Sequence, residues 1–364
     1  MTSSLTRIRD KVRDGEPLSF DDGVALYRHP NLLDVATLAN EVRERLHGDR
    51  TYFNRNLHIN ATNVCVASCM FCSFARLKPG DAGAYTMSHE EAWGKLRARV
   101  DAGDPLTEVH IVNGLHDGLP FDYYEELLRG LKRLKPSIHL KAFTAVEIFF
   151  FHKQFGMPIA EVLRRLREAG LDSLPGGGAE ILSDRVRRII SPQKTTSDDW
   201  LGIMRSAHRL GMSTTATMMW GHIETLDERV LHLRRIRELQ DEMHGFRAFI
   251  SWTYQPDNTA LAPLVRWNPT SFDYLLMQAV SRIYLDNVEH IQSSWVTQGL
   301  KIGQVALHFG ADDLGSIMIE ENVVSAAGTT YRASTEDFVH TIRNAGYLAR
   351  QRDTLYRPVR DHAA

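Results

Sequence analysis

The chain has 364 residues, of which 43 are Lys or Arg and 45 Asp or Glu, giving a formal net charge of −2. A balance so close to neutral announces no nucleic acid or other polyanion as partner, and the ordinary globular composition suits one large domain or two small ones. No apolar run approaches the ~18 residues of a membrane span, so no membrane partner is expected.

The N-terminus, MTSSLTRIRDKVRDGE, has no apolar core behind its charges and reads as neither signal peptide nor anchor. Residues 1–50 are helical in pattern and form an N-terminal extension. Strand-like and helix-like stretches then alternate. Strands are expected at 57–63 (LHINATN), 108–114 (EVHIVNG), 138–144 (IHLKAFT), 170–176 (GLDSLPG), 213–219 (STTATMM), 247–253 (RAFISWT), 290–295 (HIQSSW) and 306–311 (ALHFGA). Amphipathic helices lie between them, as in FDYYEELLRGLKRLK, where Phe121, Tyr124, Leu127 or Leu128, Leu131 and Leu134 recur at helical spacing. Eight such units predict an α/β fold, a (β/α)8 TIM-type barrel over residues 51–311. A C-terminal mixed segment, 312–364, packs on the barrel and carries a helix near Ser334, whose Ser-x-x-Asp spacing suits an N-cap.

Parallel strands buried on both faces usually read as continuous apolar runs, yet polar residues alternate through several of these: His58, Asn60 and Thr62; His139 and Lys141; Thr215 and Thr217. Their apolar neighbours face the helices, so the polar set faces the lumen and lines it for a ligand. For any one of these residues a hydrogen-bonded core role competes with that reading.

All three cysteines, Cys65, Cys69 and Cys72, fall in one segment, CVASCMFC, directly after the first strand. In a βα barrel that is the C-terminal mouth, where active sites sit. A structural zinc needs four ligands, usually in two Cys/His pairs; His58 precedes Cys65, but no second pair follows. Three inert packed cysteines, or a cluster that only transfers electrons, also compete for the segment. Three thiolates on a four-iron cluster leave one iron without a protein ligand and open to a small molecule. Thiols reserved for metal, with no export signal, indicate a reducing cytosol.

CVASCMFC has the C-x3-C-x2-C spacing of the radical S-adenosylmethionine (SAM) superfamily, with Phe71 before the third cysteine. HINATNVCVASCMFCSFAR, EVHIVNGLH, IHLKAFTAVEI, LPGGGAEIL, TTATMMWGHIET and GADDLGSIMIEENVVSAAG together resemble the aminofutalosine synthases of the futalosine route to menaquinone, over residues 50–328. The cyclase of that route and the deazaflavin synthase subunits share the TTATMM-type and GADDLG-type blocks, while IVNGLH and HINATN side with the synthases.

The resemblance implies a 4Fe–4S cluster on Cys65, Cys69 and Cys72, with SAM consumed as co-substrate and flavodoxin or ferredoxin as electron donor. It implies addition of a 5'-deoxyadenosyl radical to the enolpyruvyl double bond of 3-[(1-carboxyvinyl)oxy]benzoate, with rearrangement and decarboxylation to 6-amino-6-deoxyfutalosine. Phe71 would then flank the adenine. Many superfamily members carry Gly-Gly-Glu after the second strand, where this chain has Asn113-Gly114-Leu115-His116; backbone carbonyls there would replace the missing glutamate toward the SAM amino group. Glu180, behind Gly176, Gly177 and Gly178, is the remaining carboxylate for the ribose diol or amino group. Gly221, His222 and Glu224 would meet adenine or substrate at the mouth. Two substrate carboxylates call for cations or donors, for which Lys141, His139, Arg76, His116 and His222 are candidates; Arg247 is either another or a solvated charge. Glu147 is the sequence-local partner for Lys141 should that lysine be structural.

Overall fold

The computed structural model describes residues 3–362. Three helices come first, α1 (Ser3–Asp14), α2 (Phe20–Tyr27) and α3 (Leu32–His47), as the N-terminal pattern predicts. They lie outside the barrel: α3 packs on the helix Ser271–Tyr284 through buried Val35, Leu38 and Val42. The Tyr27 hydroxyl meets Met277 Sδ at 2.9 Å.

Seven strands, β1 (Arg50–Ile59), β2 (Glu108–Ile111), β3 (His139–Ala142), β4 (Thr214–Trp220), β5 (Phe246–Thr253), β6 (His290–Gln292) and β7 (Asp313–Ile319), pair in parallel in the order β3-β2-β1-β7-β6-β5-β4. The parallel bridges Lys141↔Ser173 and Leu174↔Thr214 insert the 173–174 segment between the two ends of that order. The ring therefore closes through eight positions, one of them two residues long. Pro175 stands next in the chain and removes a ladder donor, which accounts for its brevity.

The eighth strand is not where the apolar pattern places it. Residues 306–311 are the end of the helix Trp295–Ala306 and the turn after it, and the strand is β7, further along. Ala306, Leu307 and Phe309 are apolar because that helix end is buried in the core, which periodicity over six residues cannot distinguish from a strand. The barrel thus runs to Ile319, past the expected boundary at 311.

Beyond it come the helix Thr335–Asn344, capped by Ser334 with Asp337 returning the bond, and two further strands, β8 (Leu348–Arg352) and β9 (Pro358–His362). β8 lies parallel to the first half of β1 and antiparallel to β9. Their connection seals the barrel's N-terminal end. Thr354 Oγ1 donates to Glu108 at 2.6 Å, and the Tyr356 hydroxyl and Arg352 Nε donate to Asp313 at 2.6 and 2.7 Å.

At the opposite end, helices begin with reciprocal capping boxes: Ser88 with Glu91, Thr144 with Glu147, Thr225 with Glu228 and Thr270 with Asp273. Each such cap is worth ~1 kcal/mol. Because these caps close the loops leaving the strands, they also hold the mouth of the barrel in shape. Among the described residues no helix is long and apolar enough to cross a membrane.

Candidate active site

The cysteine segment leaves β1 and is tied to its surroundings mainly by backbone. Cys65 N–H donates to Arg76 O (2.8 Å), Val66 N–H to Leu115 O (2.9 Å), Gly114 N–H to Thr62 O (2.8 Å) and Met70 N–H to Ile190 O (2.9 Å). Gly114 permits this approach: a Cβ there would stand 2.2 Å from Val64 O, so no other residue fits without moving the loop. Arg76 turns inward on the same loop. Its Nη1 donates to the carbonyls of Ser73, Phe74 and Ala75 at 3.1, 3.3 and 3.0 Å, and its Nε to Ala82 O at 3.0 Å. Its Nε and Nη1 thus shape the loop.

Cys65 is buried and Cys69 and Cys72 are half-buried. Burial pushes the Cys69 thiol up to about 11 and raises Cys65 as well. Among the described residues the one trio of His, Cys, Asp or Glu ligand atoms mutually within 4.8 Å is His47, His290 and Asp312, below the barrel. Arg282 already bonds Asp312 there, and His290 Nδ1 lies 2.6 Å from it, so that trio is a closed ion-pair network. The three thiols do not form such a trio, as a single ion would require; a 4Fe–4S cluster takes each thiolate on a different iron, and these three thiols would hold it.

Lys194 stands at the edge of this loop, 3.2 Å from Glu180 Oε1 and 5.0 Å over the Phe71 ring. Burial opposes its charge, yet Cys69, Glu180 and Cys72 hold its pKa above the ordinary lysine value. Glu180 has a left-handed backbone (φ 45°), and its carbonyl accepts from Met219 N–H at 2.9 Å. A non-glycine residue there costs of order 1–3 kcal/mol and persists only where its surroundings impose it. Arg187 imposes it: Nη1 and Nη2 bind Ala179 O and Gly178 O at 2.5 and 3.1 Å, and Nε binds Thr195 O at 2.7 Å. One buried guanidinium therefore positions both Glu180 and Lys194.

Other expected residues form fixed turns. Asn113 Oδ1 accepts from Ala61 N–H at 2.6 Å, and Asn113 N–H donates to Glu147 at 3.0 Å. His116 Nδ1 accepts from Gly118 N–H at 3.0 Å. The N–H groups of Gly221 and His222 donate to Glu224 at 2.7 and 2.9 Å, and Arg229 closes on the same carboxylate at 2.7 Å. Gly221 has φ 89°, and a Cβ there would lie 2.0 Å from Pro269. Burial opposes the Glu224 charge, but His222 and Arg229 hold its pKa below the ordinary value.

Beneath the mouth the lumen is polar, though not uniformly open. Thr215 and Thr217 are used by the short strand, bonding Gly176 N–H and O at 2.9 and 2.6 Å. His139 Nε2 meets Ser173 Oγ at 2.7 Å at the lower end of the barrel, where it lines an external depression of about 900 Å3 with Arg247 and Arg357. Arg247 is exposed there, far from the mouth side of its strand. Lys141 reaches Glu108 at 3.0 Å, not Glu147. Glu108 also accepts from Asn56 at 2.8 Å and Thr354 at 2.6 Å, so the ammonium expected to need a substrate anion has an internal one. His58 and His110, in register on β1 and β2, stack with centroids 4.8 Å apart.

Residues 59–236 match the family described as "Radical SAM superfamily", and residues 243–363 the "CofH/MqnC C-terminal region". The chain is 44% identical to aminodeoxyfutalosine synthase of Thermus thermophilus over 98% of its own length and 96% of the relative's. It is 41% identical to cyclic dehypoxanthine futalosine synthase of Halalkalibacterium halodurans over 98% and 95%. The chain belongs to the radical SAM superfamily. In fold, this radical SAM enzyme superposes on HydG, a maturase of the [FeFe]-hydrogenase, with a TM-score of 0.74, 16% identity, and 96% and 76% of the two chains covered.

A 4Fe–4S cluster and SAM are accordingly its cofactors. Lys194 and Arg187 stand beside the cysteine loop, and the sequence alone does not single them out. Neither lies in a motif: RVRRIISPQKTTS carries no local signal, and only the fold brings it against the cysteine loop.

Proposed function

We propose that this enzyme is an aminodeoxyfutalosine synthase acting in menaquinone biosynthesis, a transferase that joins the adenosyl group of SAM to 3-[(1-carboxyvinyl)oxy]benzoate. The observation that carries the reading is the near-full-length identity of 44% to the Thermus thermophilus synthase. The polar lumen below the cysteine loop supports it, because a dicarboxylate substrate needs donors on both sides of its ring. When bound, the reduced cluster and SAM supply a 5'-deoxyadenosyl radical. Cys65, Cys69 and Cys72 hold the cluster. Lys194 and Glu180 offer a cation and a carboxylate to the amino-acid and ribose groups of SAM. Phe71 would flank the adenine, and the turn built from Gly221, His222 and Glu224 would line the mouth. Asn113 and Gly114 bring backbone to the SAM amino group, and His116 borders the substrate entrance. The closed barrel positions the alkene and excludes water. The electron donor on this reading is a flavodoxin or ferredoxin of the cytosol.

The second reading, a cyclase that abstracts hydrogen, is favoured by the 41% identity to the Halalkalibacterium halodurans protein. Anaerobic incubation with SAM, dithionite and the enolpyruvyl benzoate, followed by mass spectrometry, separates the two. Product that retains the adenosyl group supports addition; free 5'-deoxyadenosine with dehypoxanthine futalosine as substrate supports the cyclase. Cys69→Ala should abolish SAM cleavage in either case with the circular-dichroism spectrum unchanged, since the loop contributes little to the barrel core. Cleavage at the wild-type rate by that variant would remove the cluster assignment.

A further inference from the structure

Three buried polar atoms on the lumen face of β1 and its continuation have no hydrogen-bond partner among the described residues: Asn56 Oδ1, His58 Nε2 and Asn60 Oδ1. A polar group left unpaired in the interior costs stability, so native folds keep few of them, and those they keep call for an explanation. Lys141 is paired with Glu108, and Asn56 spends its Nδ2 on the same carboxylate, whereas His58, only 8% exposed, is held flat against His110. Burial lowers the His58 pKa well below its ordinary value, with the charges of His110 and Lys141 adding to the effect, so the ring is neutral and one of its nitrogens is a donor. Asn60 Nδ2 is anchored on Val112 O at 2.6 Å, which leaves its oxygen as an acceptor two residues nearer the mouth.

We infer that His58 Nε2–H is the donor that receives the ring carboxylate of the aromatic substrate on the lumen floor. This rests on the function proposed above. In that substrate the reacting alkene must sit at the mouth beside the adenosyl group, so the ring carboxylate, on the far side of the ring, is directed toward the floor. A neutral donor over a charge-matched Lys141–Glu108 pair suits a single carboxylate.

Isothermal titration of the cluster-loaded, unreduced enzyme with SAM present tests this, using 3-[(1-carboxyvinyl)oxy]benzoate and 3-hydroxybenzoate as separate probes. His58→Phe keeps the stack on His110 and removes the donor. It should weaken both acids about tenfold to a hundredfold, leave SAM affinity unchanged, and hold or raise the melting temperature because it deletes an unpaired polar atom. His58→Gln, which restores a donor, should recover part of the loss, and His58→Leu, which also removes the donor, takes the place of the Phe variant if that one folds poorly. Wild-type affinity for both acids in the folded variant that lacks the donor would overturn the inference alone. Failure of the wild-type protein to bind either acid while it binds SAM would overturn the proposed function and the inference with it.

Discussion

Lys194 Nζ lies 3.2 Å from Glu180 Oε1, and the pair sits against the thiols of Cys69 and Cys72. Two residues from different loops, both fixed by Arg187, thus place opposite charges beside the thiols that would hold the cluster. The zwitterionic head of SAM needs such a pair, since its ammonium and carboxylate leave water together.

Glu180→Gln should therefore weaken SAM binding with iron content unchanged. Loss of a charge-assisted hydrogen bond costs about 1.5 to 3 kcal/mol, roughly tenfold to a hundredfold in affinity. Titration of SAM into the cluster-loaded variant checks it, and an unaltered affinity would show that Glu180 serves only to order the turn that Arg187 clamps.

What the sequence makes legible is what depends on local chemistry. Three cysteines in eight residues need no fold to be read as one site, and the order of βα units follows from periodicity alone. The displaced eighth strand shows the limit, since a buried helix end and a buried strand have the same composition over six residues. Side-chain pairing is harder still to read. Glu147 is near Lys141 in sequence, but β2 and β3 align His110 with Lys141 and carry Glu108 into its reach. Strand register is set by the whole barrel, and no local pattern displays it. Lys194 is hidden for the same reason, being brought to the cluster loop by topology.

The Lys141–Glu108 pair should behave as a structural strut. Burial opposes the Glu108 charge, but Lys141, then His110 and Thr354, hold its carboxyl well below the ordinary range. Stability from a depressed carboxyl is present above its unfolded pKa and is lost as pH falls through the lower folded value. Lys141→Met should strand that charge and cost about 3–5 kcal/mol, whereas the double variant Glu108→Gln, Lys141→Met should recover most of it. Urea unfolding of the four proteins gives the coupling. Additive losses would mean that the two residues act separately, and a Lys141→Met protein of normal stability but impaired substrate affinity would return Lys141 to the substrate.

Glu147 offers the opposite sign. Burial pushes its carboxyl up to about 7 from an ordinary value of 4.5, against the lowering effect of bonds from the N–H groups of Thr144 (2.8 Å) and Asn113 (3.0 Å). A carboxyl that binds its proton more tightly when folded stabilises the protein fully below the unfolded pKa, and that contribution fades as pH rises toward the folded one. The window is thus about pH 4.5 to 7, and the size, at ~1.4 kcal/mol per unit, is about 3 to 4 kcal/mol. Glu147→Gln cannot titrate, so wild-type stability should fall relative to the variant across that window and run parallel to it above. Denaturant midpoints at half-unit pH steps measure the difference. Parallel curves throughout would mean that the caps at Thr144 and Asn113 keep Glu147 ionised in the folded state. The same bonds reach the active site, because Asn113 accepts from Ala61 N–H at the root of the cysteine loop. A gain in amide-exchange protection at Ala61 as Glu147 ionises, absent in Glu147→Gln, would show that this carboxylate tightens the strand end from which the cluster loop departs.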